Sequence, residues 1–303
     1  MHTQYEIAVI GSGNAAEGVV HGLLLRSVLL NDRIIACDPN QARRDLFSER
    51  FQVAVTTDNR AAVHDSFIIL LAVKPQQFRE VCAEFADVMR EDHLVISIMA
   101  GVSTGTLEQQ FAGRRTRVVR VMPNLALHVG EGMSGVFPGQ YATEADLLRA
   151  QRIFEAGGRT IVLRDEALMD AVTAVSGSGP AYFYHFCEAI IEAGEQAGLT
   201  HREATLLATQ TCLGAARMMI ESTDSPGVLA RKVMSPGGTT EAAFESMRAN
   251  GVKQHLVDAV LSAWKRSEEL GHCPPRNRAT AVSAVSWRLE TRLISFRWRV
   301  API

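Results

Sequence analysis

The stretch YEIAVIGSGNAAEGVV, residues 5–20, decides the fold that the sequence predicts for the amino-terminal half. A strand-like run over residues 5–10 leads into the glycine loop GSGNAA. A helix-compatible segment continues to about residue 30, and a second strand-like run over residues 33–37 follows. This β-α-β order favours a dinucleotide-binding loop. The alternative is a glycine turn that joins strand to helix and binds nothing.

The loop residues have separate expected roles in holding a pyrophosphate. Gly11 permits the tight turn, Gly13 lets the backbone approach the phosphates, and Ala16 keeps the helix close to the strand. The helix then offers unpaired N–H groups to the anion. The predicted cofactor-binding loop comprises Gly11, Ser12, Gly13, Asn14, Ala15 and Ala16.

The second strand ends in Asp38, which lies 22 residues after Ala16. A carboxylate near this spacing pairs with a ribose 2′-hydroxyl and repels a 2′-phosphate. Arg43 and Arg44 follow, and they could accommodate a phosphate or form a solvated helix face. The residues therefore leave NAD(H) and NADP(H) open as cofactors.

Further strand-like runs cover residues 67–73, 94–98 and 117–121, and each ends in a distinctive loop. Continuous apolar runs are typical of parallel strands that are buried on both faces. In a doubly wound sheet, the loops at the carboxyl ends of such strands line the ligand crevice. The sequence thus predicts an α/β fold with a Rossmann-type parallel sheet.

After about residue 163 the strand pattern gives way to helices. Ser178 and Pro180 suit a helix start, Thr200 and Glu203 form a capping box, and further starts follow near residues 225 and 240. The segment 204–220 is apolar on more than one face, which is typical of a core or a subunit interface. An all-α carboxy-terminal dimerisation domain is the prediction.

The predicted division is a dinucleotide-binding domain at residues 1–163, a helical domain at 164–271 and a basic extension at 272–303. A net charge of −2 gives no indication of nucleic acid or an anionic membrane as a partner. The longest apolar run has seven residues, against the roughly 20 of a spanning helix. No signal peptide is apparent, so we expect a cytoplasmic protein. Five scattered cysteines and the histidine spacing indicate neither a disulfide framework nor a metal site.

Five motifs resemble one family in order and spacing: GSGNAA, LAVKPQ, VMPN, VSGSGPAYFY and MSPGGTTEAAF. Over about residues 5–270 the chain resembles Δ1-pyrroline-5-carboxylate reductase. The resemblance implies a Rossmann domain followed by helices that interleave in a homodimer, which can assemble further into a ring. It also implies reduction of a cyclic imine to L-proline with NADPH or NADH.

Two glycine-bearing turns are expected to hold the substrate carboxylate through main-chain amides and a helix N-terminus. Their residues are Ser176, Gly177, Ser178, Gly179 and Pro180 in the first, and Ser235, Gly237, Gly238 and Thr239 in the second. By resemblance, Thr240 donates a hydrogen bond to the imine nitrogen while Thr239 caps the helix. Plain capping by both threonines is the alternative. The resemblance adds to the cofactor site Asn59, Ala72, Val73, Lys74, Pro75, Ala100, Gly101 and Asn124.

The chain departs from the family pattern in the loop after Asn124. Leu125 and Ala126 stand where the family usually has Thr-Pro, and Ala15 stands where it usually has Met. The Leu125-Ala126 departure motivates a second hypothesis, a reductase of a related cyclic imino acid. A third hypothesis is a non-catalytic dinucleotide-binding regulatory relative, against which the retained Thr240 argues.

Overall fold

The computed structural model describes residues 4–111 and 115–271, which belong to one compact unit in which the sheet and the helices are in contact. The basic extension predicted at residues 272–303 lies outside the described residues.

A single eight-stranded sheet forms the amino-terminal part. The strands are β1 Ile7–Ile10, β2 Ile34–Cys37, β3 Ala54–Thr56, β4 Ile68–Leu71, β5 Leu94–Ser97, β6 Arg117–Met122, β7 Gly132–Pro138 and β8 Gly158–Val162. Their spatial order is β3-β2-β1-β4-β5-β6-β7-β8, and all neighbours are parallel except β6 and β7. The predicted Rossmann-type parallel sheet is confirmed, with three strands (β3, β7 and β8) that the sequence reading missed.

Six helices accompany this sheet. They are α1 Asn14–Leu25, α2 Gln41–Phe51, α3 Asn59–His64, α4 Phe78–Phe85, α5 Thr104–Gln110 and α6 Glu144–Glu155. Separate apolar clusters form on the two faces of the sheet, one containing Val20 and Leu70 and the other containing Phe85 and Leu71. Helix α1 is shorter than predicted, because the chain turns after Leu25 and Ser27 adopts a φ of 52°.

Gly11 fits its position for two reasons. Its φ of 92° lies in the left-handed region that favours glycine. A Cβ at this position would lie 2.8 Å from the carbonyl oxygen of Ala72, which follows β4. The turn after β1 therefore requires glycine, as the sequence predicts.

The carboxy-terminal part is helical. After α7, Leu168–Val172, a π-helical turn covers Thr173–Gly177, and the chain continues as α8 Gly179–Gln196, α9 His201–Glu221, α10 Pro226–Lys232, α11 Thr239–Ala249 and α12 Val252–Gly271. The predicted capping box of Thr200 and Glu203 is present at the start of α9. Ser178 occupies the N-cap position of α8, but its side chain makes no capping hydrogen bond.

Helices α8 and α9 pack closely at the two ends that their connecting loop joins. A Cβ on Gly194 would lie 3.0 Å from that of Ala204. Away from this contact, large apolar side chains of the helical part face outward. They include Phe183, Tyr184, Ile190, Leu206, Leu207, Met218 and Ile220. One protomer therefore leaves much of its helical apolar surface uncovered.

No helix within residues 4–111 and 115–271 is both long enough and apolar enough to cross a bilayer.

Candidate functional site

The glycine loop offers an open anion-binding position at the start of α1. Gly13 is the N-cap of this helix, and no side chain caps it. A Cβ on Gly13 would have no neighbour within 4 Å, so the space above the loop is free for a ligand. The first-turn N–H groups of a helix have no intrahelical partners and carry partial positive charge. The residues present thus fit a dinucleotide pyrophosphate.

The predicted crevice lies beyond the carboxyl ends of the parallel strands. Ala72 donates its N–H to the carbonyl of Ile10 at the end of the β1–β4 pairing. The chain then turns, and the N–H of Gln77 donates to the carbonyl of Lys74. The side chain of Lys74 is exposed. After β5, Gly101 adopts a φ of 74° and begins the approach to α5. Both loops therefore lie at the carboxyl ends of the parallel strands, where the sequence predicts the crevice.

Asn124 joins the crevice to the helical part. Its side-chain oxygen accepts N–H groups from Ala126, at 3.2 Å, and Met133, at 3.3 Å. Its side-chain nitrogen donates to the carbonyl and hydroxyl oxygens of Ser176, at 3.2 and 3.3 Å. A residue expected only to line the crevice thus fixes the position of the first glycine-bearing turn.

The rest of that turn also packs against the strand ends. Ser176 Oγ donates to the carbonyl of Met133 over 3.3 Å. A Cβ on Gly177 would lie 2.8 Å from the terminal methyl of Met122. Nothing lies within 4 Å of the corresponding position on Gly179. The turn is therefore anchored at Ser176 and Gly177 and open at Gly179.

The second glycine-bearing turn, Ser235–Thr240, differs from the expectation in its hydrogen bonds. The N–H of Gly237 donates to Glu241 Oε2 over 2.7 Å, and that of Gly238 donates to the carbonyl of Ser235 over 2.9 Å. The expectation that these two amides are free for a carboxylate is therefore wrong. The amides available to a ligand are those of the first turn of α11, beginning at Thr239.

The expected capping role of Thr239 is also wrong. Gly238 occupies the N-cap position of α11, and no side chain makes a capping bond there. Thr239 begins the helix and is exposed, while Thr240 is half-buried. Among the described residues, no hydrogen bond joins this turn to the crevice of the same chain.

At the outer end of the crevice, Asp38 is held by main-chain donors. Its Oδ2 accepts the N–H of Ser12 at 2.8 Å, and its Oδ1 accepts that of Asn40 at 2.9 Å. Asn59, at the start of α3, donates to Glu84 Oε2 over 2.8 Å. The sequence did not single out two acidic residues of this region: Glu17 on α1, which pairs with Arg43, and Asp58, which caps α3. The only indication of these two residues in the sequence is that each adjoins a predicted site residue, Ala16 or Asn59.

The chain matches two family descriptions along its length. Residues 166–270 match "Pyrroline-5-carboxylate reductase dimerisation". Residues 6–101 match "NADP oxidoreductase coenzyme F420-dependent". The first covers most of the helical part and the second covers the glycine loop and the first strands of the sheet.

Individual relatives give the same result over nearly their whole length. A pyrroline-5-carboxylate reductase from Pseudomonas aeruginosa is 40% identical over 264 residues, which are 87% of this chain and 96% of the relative. The solved structure of a pyrroline-5-carboxylate reductase from Coxiella burnetii has a TM-score of 0.81 and 37% identity, and the match covers 89% of this chain and 100% of that one. The Plasmodium falciparum enzyme, solved with NADP bound, has a TM-score of 0.80 and 27% identity, with coverages of 89% and 100%.

The same family is indicated by the fold, the open glycine loop, the anchored Ser176 turn and these matches. The chain therefore belongs to the pyrroline-5-carboxylate reductase family of NAD(P)H-dependent oxidoreductases.

Proposed function

We propose that the protein reduces L-Δ1-pyrroline-5-carboxylate to L-proline with NADH or NADPH. The observation that carries the proposal is the Asn124–Ser176 junction. It fixes a glycine-bearing turn, open at Gly179, at the edge of a dinucleotide-type crevice. The named relatives act on this imino acid, which supports the choice of substrate.

The proposed chemistry divides between the cofactor and the chain. A bound reduced nicotinamide would supply the hydride for the C=N carbon. The chain would hold the carboxylate with main-chain amides of the Ser176–Pro180 turn and the first turn of α11, where the helix contributes partial positive charge. The Thr240 hydroxyl would donate a hydrogen bond to the imine nitrogen and relay a proton to it. That nitrogen otherwise gains negative charge.

Self-association would complete the site. The helical part leaves apolar side chains exposed and matches a dimerisation family. We propose that two copies pair through these helices and that pairing supplies each crevice with a Thr240 turn. Assembly of dimers into a ring, the cytoplasmic location and the domain boundary after residue 163 stay predictions.

The test is turnover by the purified full-length protein. With the imine and either reduced cofactor, we expect loss of reduced-nicotinamide absorbance well above background. Thr240→Val should lower kcat by roughly 10²–10⁴, because the hydroxyl acts on the developing charge. Thr240→Ser should keep most of the rate.

Thr239→Val is the matched control, because Thr239 would act only through its main-chain amide, which valine keeps, and its exposed hydroxyl makes no capping bond. It should leave kcat near that of the unaltered protein. A Thr240→Val variant as fast as the Thr239→Val variant would remove Thr240 from the mechanism. Cofactor binding without any turnover would favour the regulatory relative instead.

A related cyclic imino acid is the second candidate substrate. The side chain of Leu125, directly after Asn124, is 54% exposed at the crevice where the family pattern has Thr-Pro. An apolar side chain there offers no hydrogen bond to a substrate. A panel of cyclic imino acids would decide. A best kcat/KM on an imino acid other than pyrroline-5-carboxylate would support this second candidate.

A further inference from the structure

We infer that this protein discriminates in favour of NADH and against NADPH. The basis is an acidic rim at the ends of β2 and β3 whose neighbouring arginines are already engaged. The inference rests on the proposed use of the crevice by a reduced dinucleotide. The Plasmodium falciparum relative was solved with NADP bound. The inference therefore concerns the residues of this chain and is not extended to its relatives.

Asp38 presents a carboxylate that is fixed in place. The N–H groups of Ser12 and Asn40 hold its two oxygens at 2.8 and 2.9 Å, so the group bridges the glycine loop and the turn before α2. Each carboxylate oxygen has a second lone pair. The fixed group can therefore accept a hydrogen bond from a ribose 2′-hydroxyl, whereas a 2′-phosphate at this position would meet a like charge.

Asp58 places a second carboxylate at the same end of the sheet as Asp38. The N–H of Asp38 donates to the carbonyl of Thr56 over 3.3 Å, which ties the ends of β2 and β3 together. Two residues after Thr56, Asp58 caps α3 by accepting the N–H of Ala61 at 2.9 Å. Burial raises the pKa of the Cys37 thiol to about 12, and the charges of Asp58 and Asp38 contribute to the increase. Both carboxylates thus act on the same end of the sheet.

Arg43 is not available to a phosphate. Its guanidinium donates to the carbonyl of Ser12 and, over 2.8 Å, to Glu17 Oε2. Glu17 is only 8% exposed and also accepts from Arg50 at 2.6 Å. Moving Arg43 toward a ligand would separate a largely desolvated ion pair, which is unfavourable.

Arg44 and Arg60 are engaged as well. Arg44 donates to the main-chain oxygen of Asp38 over 2.6 Å and to the side chain of Gln41. Arg60 pairs with Asp87 over 2.7 Å. Of the two arginines that the sequence left open as a phosphate site, Arg44 thus holds the turn that carries Asp38, and Arg43 is held by the glycine loop and Glu17.

The first experiment measures binding of each cofactor to the full-length protein without substrate, by calorimetry or reduced-nicotinamide fluorescence. Like charges in contact oppose binding strongly, so we expect NADH to bind at least roughly tenfold more tightly than NADPH. The kcat/KM values should differ in the same direction. Equal or tighter binding of NADPH would overturn the inference. Failure of both cofactors to bind would instead count against the proposed function.

Variants locate the source of the discrimination. Asp38→Asn keeps the shape and removes the charge, so the NADH:NADPH affinity ratio should fall by roughly tenfold. Asp58→Asn should lower the ratio less, because Asp58 is exposed and its charge is screened. An unchanged ratio in Asp38→Asn would overturn the assignment to Asp38.

Two controls complete the set. Asp45→Asn removes a nearby carboxylate that pairs with Gln41 on the surface of α2, and the ratio should stay constant. Arg44→Ala should leave the ratio close to that of the unaltered protein, because the N–H groups of Ser12 and Asn40 still hold the Asp38 carboxylate. A selective loss of NADPH binding in Arg44→Ala would show that Arg44 binds the phosphate, and it would contradict the inference.

Discussion

The sheet part and the helical part of this protein treat their apolar side chains differently. Leu70 and Leu94 in the sheet are fully buried beneath helices that the same chain supplies. Leu206 on α9 is 68% exposed, and many large apolar side chains around it are exposed too. The difference indicates that the sheet part completes its core within one chain, whereas the helical part needs a second copy to cover it.

The largest expected effect comes from placing a charge on the exposed helical surface. Leu206→Glu should prevent self-association, because pairing would bury an unpaired carboxylate, and a symmetric pair would bury two. A cost of at least about 4 kcal/mol corresponds to roughly a thousandfold rise in the dissociation constant. Sedimentation over a range of concentrations would measure it. We expect the sheet part to stay folded by circular dichroism.

Leu25→Glu is the matched control for this change. Leu25 on α1 is 65% exposed, nearly the same as Leu206, but it belongs to the sheet part. Its substitution should leave the oligomeric state unaltered. If Leu25→Glu dissociated the protein and Leu206→Glu did not, the two regions would have exchanged the roles assigned to them here.

An intermediate effect is expected from acid, and it should fall on the sheet part. His93 is fully buried before β5, and its Nδ1 accepts the N–H of Arg90 at 3.1 Å. Burial, followed by the charge of Arg90, lowers the pKa of His93 to about 4. The stability from the neutral ring is present above the unfolded pKa of roughly 6.5 and is lost as pH falls toward 4. The full loss is about 3 kcal/mol.

Chemical denaturation between pH 7 and pH 4 would measure this loss. His93→Asn removes the titration and keeps an acceptor for Arg90, so its unfolding free energy should depend less on pH in that range. His201→Asn, on the exposed start of α9, is the comparison variant. Equal pH dependence in His93→Asn and the unaltered protein would remove His93 as a source of acid sensitivity.

The smallest effect is expected from removing a helix cap. Two capping boxes of the same type, one in each part, allow the sheet part and the helical part to be compared. Thr143 and Asp146 cap α6 in the sheet part, and Thr200 and Glu203 cap α9 in the helical part. Thr143→Ala and Thr200→Ala should each cost about 1 kcal/mol. The Thr143 change should appear in unfolding of the sheet part at any protein concentration. The Thr200 change should instead depend on protein concentration, and a loss independent of concentration would contradict the proposed dependence of α9 on a partner.

Features with a strong local signal could be predicted from the sequence. The glycine loop, the apolar strands β1, β2, β4, β5 and β6, and the capping box at Thr200 each depend on residues close together in the chain. The three missed strands lack such a signal. Strand β3 has only three residues, β7 contains glycines at Gly132 and Gly135, and β8 carries exposed side chains.

The site was harder to predict where it depends on long-range or competing hydrogen bonds. Glu241 lies only four residues after Gly237, yet nothing in the motif indicates that its side chain accepts a hydrogen bond from the N–H of Gly237. The link from Asn124 to Ser176 spans 52 residues and depends on the final packing of the two parts. The engagement of Arg43 by Glu17 spans 26 residues and is equally hidden from motif spacing.

The π-helical turn at Thr173–Gly177 has a consequence for how this protein tolerates changes in length. Ser178 donates its N–H to the carbonyl of Thr173 over 2.8 Å, so the winding accommodates one more residue than an α-helix would. Each residue of a regular helix advances the winding by roughly 100°. Deleting one residue of this turn before Ser176 would restore regular α-helical winding and rotate Ser176 away from Asn124. The turn therefore acts as a register element, in which the number of residues matters as much as their identity.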